Sequence, residues 1–174
     1  SASGYRITIA KAPDLFRVWV PIKFPKTASK LVLLPLTKDA QASVDAYAAT
    51  AEDLATQCIA PGMPSMLDQP YPIEFIDQGD QIVLRVEEWN AVRTIHMNNA
   101  AMDDGLSTIY GHSKGRWEGD TLIIETSGVD YPYYNDAGTP MTKGMKITER
   151  YSISADQRRM NWTATIVDPK IFTK

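Results

Sequence analysis

Gly111-His112-Ser113-Lys114-Gly115-Arg116-Trp117-Glu118-Gly119-Asp120-Thr121-Leu122-Ile123-Ile124-Glu125-Thr126 reads as a strand, a tight turn and a returning strand. Ser113 to Trp117 runs extended into Glu118-Gly119-Asp120, where glycine supplies the positive φ that a hairpin turn demands. The chain then returns as Thr121 to Ser127. On that return the period of two sets Leu122, Ile124 and Thr126 on one face and Thr121, Ile123 and Glu125 on the other. Gly111 predicts a close backbone approach or a bulge that aims the His112 imidazole off the sheet edge.

The flanking sequence carries the same signature. Tyr71, Ile73 and Phe75 share a face, Gly79-Asp80 turns the chain into Gln81 to Glu88, and Trp89-Asn90 reverses it again into Ala91 to Met97. After the hairpin comes a Tyr, Pro, Gly and Asn rich excursion from Gly128 to Gly144, too long for a simple turn and of the kind that often binds or covers a ligand. Met145 to Ser154 and Arg159 to Asp168 close the meander, and Asp168-Pro169 stops the last strand.

Before the meander the chain is different. Residues 1–36 read as irregular extended structure with short strands at Tyr5 to Ile9 and Phe16 to Val20, because Pro13, Pro21, Pro25 and Pro35 interrupt any helix. Residues 37–57 read as helical: Thr37 is an N-cap, Asp39 complements the helix dipole in the first turn, Lys38 to Ala49 is alanine-rich, and a second short helix spans Ala51 to Gln57. Cys58-Ile59-Ala60-Pro61-Gly62-Met63-Pro64 ends that pattern. The whole predicts one domain over residues 1–174, mainly β: an antiparallel β-barrel or strongly curled sheet, lipocalin-like in general architecture, with one or two short helices on or across an end and residues 71–168 as its β-meander.

Composition narrows the function classes. A hydrophobic content of 44% with 22% charged residues is that of an ordinary folded domain, and no run approaches the roughly 20 apolar residues of a membrane helix. A net charge of -3, with Lys and Arg scattered, argues against a nucleic-acid partner. One cysteine, Cys58, cannot form an internal disulfide and, with only two histidines, leaves no Cys/His zinc framework. It reads as a buried structural thiol. Lys114-Gly115-Arg116 has neither the glycine spacing nor the following helix of a phosphate loop, so no nucleotide cofactor is expected, nor any other.

The motif Gly-His-Ser-x-Gly-x-Trp-Glu-Gly-Asp-Thr-Leu, here Gly111 to Leu122, resembles the mark of a family of uncharacterised exported bacterial proteins. Cys58 with Pro61-Gly62-Met63-Pro64, Arg93 and Ile95, Thr148-Glu149-Arg150, and Asp168-Pro169 extend the resemblance over residues 30–174. Two positions depart from it: His96 stands where tyrosine is expected, and Met141 where a histidine often follows the Gly-x-Pro of the long loop. The resemblance implies an exported, periplasmic protein; no signal peptide is read in the sequence, and a mature exported chain would look the same after processing. It implies no particular activity.

Candidate chemistry centres on a few side chains. Alternation places Glu149 with Met145, Ile147, Tyr151 and Ile153, so a carboxylate stands on an apolar face. It is either a desolvated acid–base group or one half of a structural ion pair, with Arg93 as the partner. His96 and His112 are the only side chains that ordinarily titrate near neutrality. A metal site would need further ligands beyond them, and the carboxylates are scattered, so none is expected. Alternation sets Arg93 and His96 on opposite faces of a regular strand, so both serve one site only if a bulge intervenes. Ser113 follows His112 directly and so faces away from it, which makes adjacency no argument for a Ser-His pair.

Aromatic and sulfur side chains supply candidate walls: Tyr110, Trp117, Tyr133, Tyr134, Met141, Tyr151 and Trp162, with Tyr131 beside them. The expectation is therefore one pocket, walled by these residues, on which Arg93, His96, His112 and Glu149 converge. Two functions fit it. One is a cofactor-independent lyase, isomerase or hydratase acting by acid–base chemistry on a small hydrophobic or phenolic molecule, with Arg93 steadying developing negative charge. The other is a β-barrel that binds such a molecule without turnover.

Overall fold

The computed structural model describes residues 15–22, 34–47, 54–97 and 108–173. Its body is one sheet of eight strands in sequence order: β1 (Val18–Trp19), β2 (Ile73–Asp77), β3 (Gln81–Val86), β4 (Ala91–Met97), β5 (His112–Glu118), β6 (Thr121–Ser127), β7 (Lys146–Ile153) and β8 (Met160–Val167). The sheet curls strongly into a half-barrel. The hairpin at Gly119-Asp120 forms as its sequence predicts, with Ser113 opposite Thr126 and Trp117 opposite Leu122.

One pairing departs from expectation. The sheet is not wholly antiparallel: β4 and β5 run parallel, with Ile95 opposite Ser113 and Met97 opposite Gly115. A parallel pair needs a crossover in place of a tight turn, and the connection between these strands spans residues 98–111. Residues 98–107 of that connection, and the strand expected at Tyr5 to Ile9, lie outside the described residues.

Strand alternation sorts the side chains as period two requires. The concave face carries Phe75, Leu84, Ile95, Leu122, Ile124 and Tyr151, which form one apolar cluster with Leu15 and Trp19 of the N-terminal segment. Within that segment the Trp19 indole N–H donates to the Leu15 carbonyl at 2.9 Å, and Arg17 ties the segment to the β7–β8 turn by donating to the Gln157 carbonyl. The convex face is polar. There Arg116 pairs with Glu125 at 2.7 Å and with Glu118 at 2.9 Å, and Arg150 reaches Glu118 at 3.4 Å. Ile123, between Arg116 and Arg150 in register, is fully buried on that same face, consistent with aliphatic arginine stems covering it.

The single α-helix of the described residues, α1 (Lys38–Ala46), starts where its cap predicts: Thr37 Oγ1 accepts from the Ala40 amide at 3.3 Å. Thr37 also ties the helix to the C-terminal tail through Lys170 and Ile171. Ala40 then enters a second apolar cluster with Met63, Met66, Val129, Tyr134, Met145 and Ile147. The second expected helix is reduced to a 3-10 turn at Leu54–Gln57, residues 48–53 lying outside the described set. Cys58, expected buried, is exposed: it ends that turn at φ 59, and its amide bonds back to Ala55.

Gly115 shows how tightly the concave face is filled. A Cβ built there would lie 2.8 Å from Ile95 Cγ2 and closer still to the Met97 sulfur. Gly115→Ala is expected to lower stability by about 1–3 kcal/mol, the usual cost of overpacking; an unchanged denaturation midpoint would show that the Met97 side chain yields freely.

Candidate functional site

Arg93 lies on β4 with Ile95 and Met97, facing the concave interior, and Glu149 lies on β7 with Ile147 and Tyr151. Three strand spacings separate them, about 14 Å along the sheet, and the inward curl brings their side chains together above β5 and β6. The path between them is paved with small polar groups. Arg93 Nε donates to Ser113 Oγ at 2.9 Å, its Nη2 donates to Thr126 Oγ1 at 2.7 Å, and the same Nη2 pairs with Glu149 Oε2. Ser113 and Thr126 face each other in register and bond each other at 3.0 Å.

The other carboxylate oxygen is equally committed. Glu149 Oε1 accepts from the Tyr151 hydroxyl at 2.8 Å and from the Trp162 indole N–H at 3.2 Å. Arg93 is 1% exposed and Glu149 0%. Two charges so deeply buried persist only when paired and hydrogen-bonded. Burial alone would pull the Arg93 pKa down, but the adjacent Glu149 carboxylate outweighs it and holds the guanidinium above its ordinary value. Burial, then the negative charge of Glu149, push the Tyr151 phenol well above its usual range, Arg93 opposing. Arg93 Nη1 has no hydrogen-bond partner among the described residues.

The expected convergence of four catalytic groups does not occur. β3 and β4 pair continuously from Gln81–His96 to Val86–Ala91 with no bulge, so His96 falls with Val92 and Thr94 on the convex face, away from Arg93. His112 precedes the inward Ser113 on a regularly paired strand and also faces outward, its ring against Gly128. Arg93 and Glu149 meet; His96 and His112 stand across the sheet from them.

The predicted aromatic walls divide as well. Trp117, Tyr151 and Trp162 share a concave rung through Leu122, where Trp117 meets Phe16 edge-on at 6.5 Å and Tyr151 meets Phe75 edge-on at 5.1 Å. Tyr110, Tyr133, Tyr134 and Met141 belong to the other end, around the excursion between β6 and β7. Tyr134 is no ligand wall: it is buried and donates from its hydroxyl to Asp168 Oδ2 at 3.0 Å. Asp168 also accepts from the Thr142 amide at 2.9 Å and the Thr142 hydroxyl at 3.0 Å. Tyr133 packs edge-on against Tyr47 at 5.1 Å. Tyr110 is half-buried, and that burial raises its pKa.

With the excursion so fastened, it leaves a depression of about 220 Å³ lined by Val129, Asp130, Tyr131, Pro132, Met141, Thr142 and Lys143. Of these the sequence pointed to Met141 and Tyr131. Thr126, Asp168, Asp130 and Lys143 stand outside the expected site residues, as does Ser113, which the sequence raised only beside His112; Thr126, a hydroxyl on an otherwise apolar face, was the readable signal among them. Among the described residues no group of three or more His, Cys, Asp and Glu side chains is arranged to hold a metal ion.

Two outcomes follow from the buried network. Glu149→Gln strands the Arg93 cation and is expected to cost about 3–5 kcal/mol, roughly 6–20 °C in melting temperature; a wild-type midpoint in urea would mean that the pair holds nothing together. Tyr151 is an acid whose folded pKa lies above its unfolded value near 10, so its contribution is intact below about pH 10 and is lost as pH rises past it. Stability should fall there by about 1.4 kcal/mol per pH unit from this residue. Tyr151→Phe should make the alkaline limb less steep, the buried Tyr134 and half-buried Tyr110 supplying the rest, and a denaturation series across that range in both proteins reads the difference.

Compared with family models, with curated proteins and with solved structures, the chain matches none.

Proposed function

We propose that this protein binds a small hydrophobic or phenolic molecule without turning it over, and that the molecule sits in the depression between Val129–Pro132 and Met141–Lys143. The observation that carries this reading is the composition of that depression: an aromatic ring from Tyr131, a soft thioether from Met141 and opposite charges from Asp130 and Lys143 border about 220 Å³. That is below the roughly 300–1,000 Å³ of pockets for larger ligands, so it suits a single ring. The apolar and aromatic lining favours a planar apolar body, and the charged rim favours one polar substituent.

Acid–base turnover has less support. A lyase, isomerase or hydratase needs its proton donor and acceptor within hydrogen-bond reach of one cavity. His96 and His112 lie on the convex face, and Glu149 already accepts from Arg93, Tyr151 and Trp162. Binding asks for no such convergence. Export, implied by the Gly111 to Leu122 motif, is part of the same proposal.

A thermal-shift screen against small phenols and aromatic acids tests it. A ligand at a hundredfold excess over its Kd adds about 2.7 kcal/mol, roughly 5–10 °C for a chain of this size. Met141→Ala should weaken that shift, measured from the variant's own unliganded melting temperature because Met141 also packs against the second apolar cluster. No shift with any compound, or a shift indifferent to Met141→Ala, rejects the depression as the seat.

A further inference from the structure

The two edges of the half-barrel are built differently. β1 is two residues long and is followed closely by Pro21, so it offers little backbone for pairing. β8 runs for eight residues, Met160-Asn161-Trp162-Thr163-Ala164-Thr165-Ile166-Val167, registered residue for residue with β7. Among the described residues nothing pairs with its other side. Natural sheets protect such an edge with lysine, proline, a bulge or a short strand. β8 has none of these: it holds no charge, no proline and no glycine, and its pairing with β7 is unbroken. Its side chains stay open on both faces, with Thr163, Ala164, Thr165 and Val167 all exposed.

We infer that β8 is an interaction surface and that its occupant is β8 of a second copy of this chain, paired antiparallel about a two-fold axis at Ala164. Residues directly opposite in an antiparallel pair share a face, so the axis must pass through a residue and not between two. Centring it on Ala164 pairs seven residues, 161 to 167, with themselves in reverse. On the convex face Thr163 then meets Thr165 of the second copy, and on the concave face Trp162 meets Ile166, with Ala164 against Ala164 between them. Thr–Thr and aromatic–β-branched pairs are among the favourable cross-strand combinations, and no like charges oppose one another across the seven rungs. A two-fold contact of this kind closes on itself, whereas pairing β8 with the opposite edge of another copy would build an open array. The self-complementarity of this strand is what favours a second copy over a foreign strand. This inference is independent of the ligand proposal, since the depression lies in the β6–β7 excursion.

Sedimentation velocity of the full chain across a micromolar concentration series reads it directly. The expected result is a reversible shift from 19.4 kDa toward twice that mass. Thr163→Lys with Thr165→Lys in one chain sets like charges opposite each other in the pair and should weaken dimerisation by at least roughly tenfold. Thr163→Glu with Thr165→Glu should do the same, and an equimolar mixture of the two folded variants should recover the doubled mass. A wild-type chain at 19.4 kDa throughout overturns the inference; so does a lysine variant that dimerises as the wild type does, or a mixture that stays monomeric. Hydrogen exchange on the wild type covers the case in which a variant does not fold. Amides of Asn161 to Val167 that gain protection with concentration support the pairing, and protection that is independent of concentration rejects it, as does capture of a foreign strand by a chain that never self-associates.

Discussion

A single buried ion pair sets the terms for this sheet. Moving one carboxylate and one guanidinium out of water costs several kcal/mol each, and their attraction offsets that only with good geometry and saturated hydrogen bonds. Here the two groups start on strands three apart, so geometry requires curvature: a flat sheet would hold Arg93 and Glu149 at arm's length. Ser113 and Thr126 are small enough to let the arginine lie across them and polar enough to accept from it. The pair also constrains register. A slip of one residue in β4 or β7 turns its charge to the convex face and leaves the other buried alone, a cost of about 3–5 kcal/mol.

The rest of the molecule divides around that constraint. At one end, Leu15 and Trp19 fill the concave face beside Phe75 and Tyr151, and Arg17 fastens this segment to the β7–β8 turn. At the other, Asp168 gathers the loop after β6 by accepting three hydrogen bonds from Tyr134 and Thr142. Both devices spend polar groups on holding backbone in place. Neither device covers the rim of the depression, where Asp130 and Lys143 are exposed.

Much of this was legible from residue order. Alternation in Thr121 to Ser127 and Ala91 to Met97 assigned the faces correctly, and Thr37 announced the helix start. The strong statement was Glu149 on an apolar face: a buried acid needs a partner, and Arg93 was the partner named. The same alternation set His96 against Arg93, so grouping the two in one site required a bulge that the regular β3–β4 register does not contain. Other features were not local. The parallel β4–β5 pairing is decided by where a crossover lands, which no periodicity records. Exposure of Cys58 follows from a positive-φ turn that its apolar context did not betray. The tyrosines of residues 131–134 looked alike in sequence, yet one is a buried clamp on Asp168, one packs on Tyr47 and one borders open space.

The proposed division between support and recognition has a physical basis. A carboxylate useful for proton transfer must change charge during the reaction, and its surroundings must tolerate both states. Glu149 is surrounded by three groups that all donate to it, from Arg93, Tyr151 and Trp162. These bonds engage both carboxylate oxygens and hold in place a guanidinium that is 1% exposed, which suits the pair to support. The excursion loop has the opposite property: its backbone is fixed by Asp168 while Tyr131 and Met141 border open space, so a ligand there meets preorganised walls and leaves the ion pair undisturbed. In the proposed reading, recognition on the loop and rigidity in the half-barrel keep the two demands from competing.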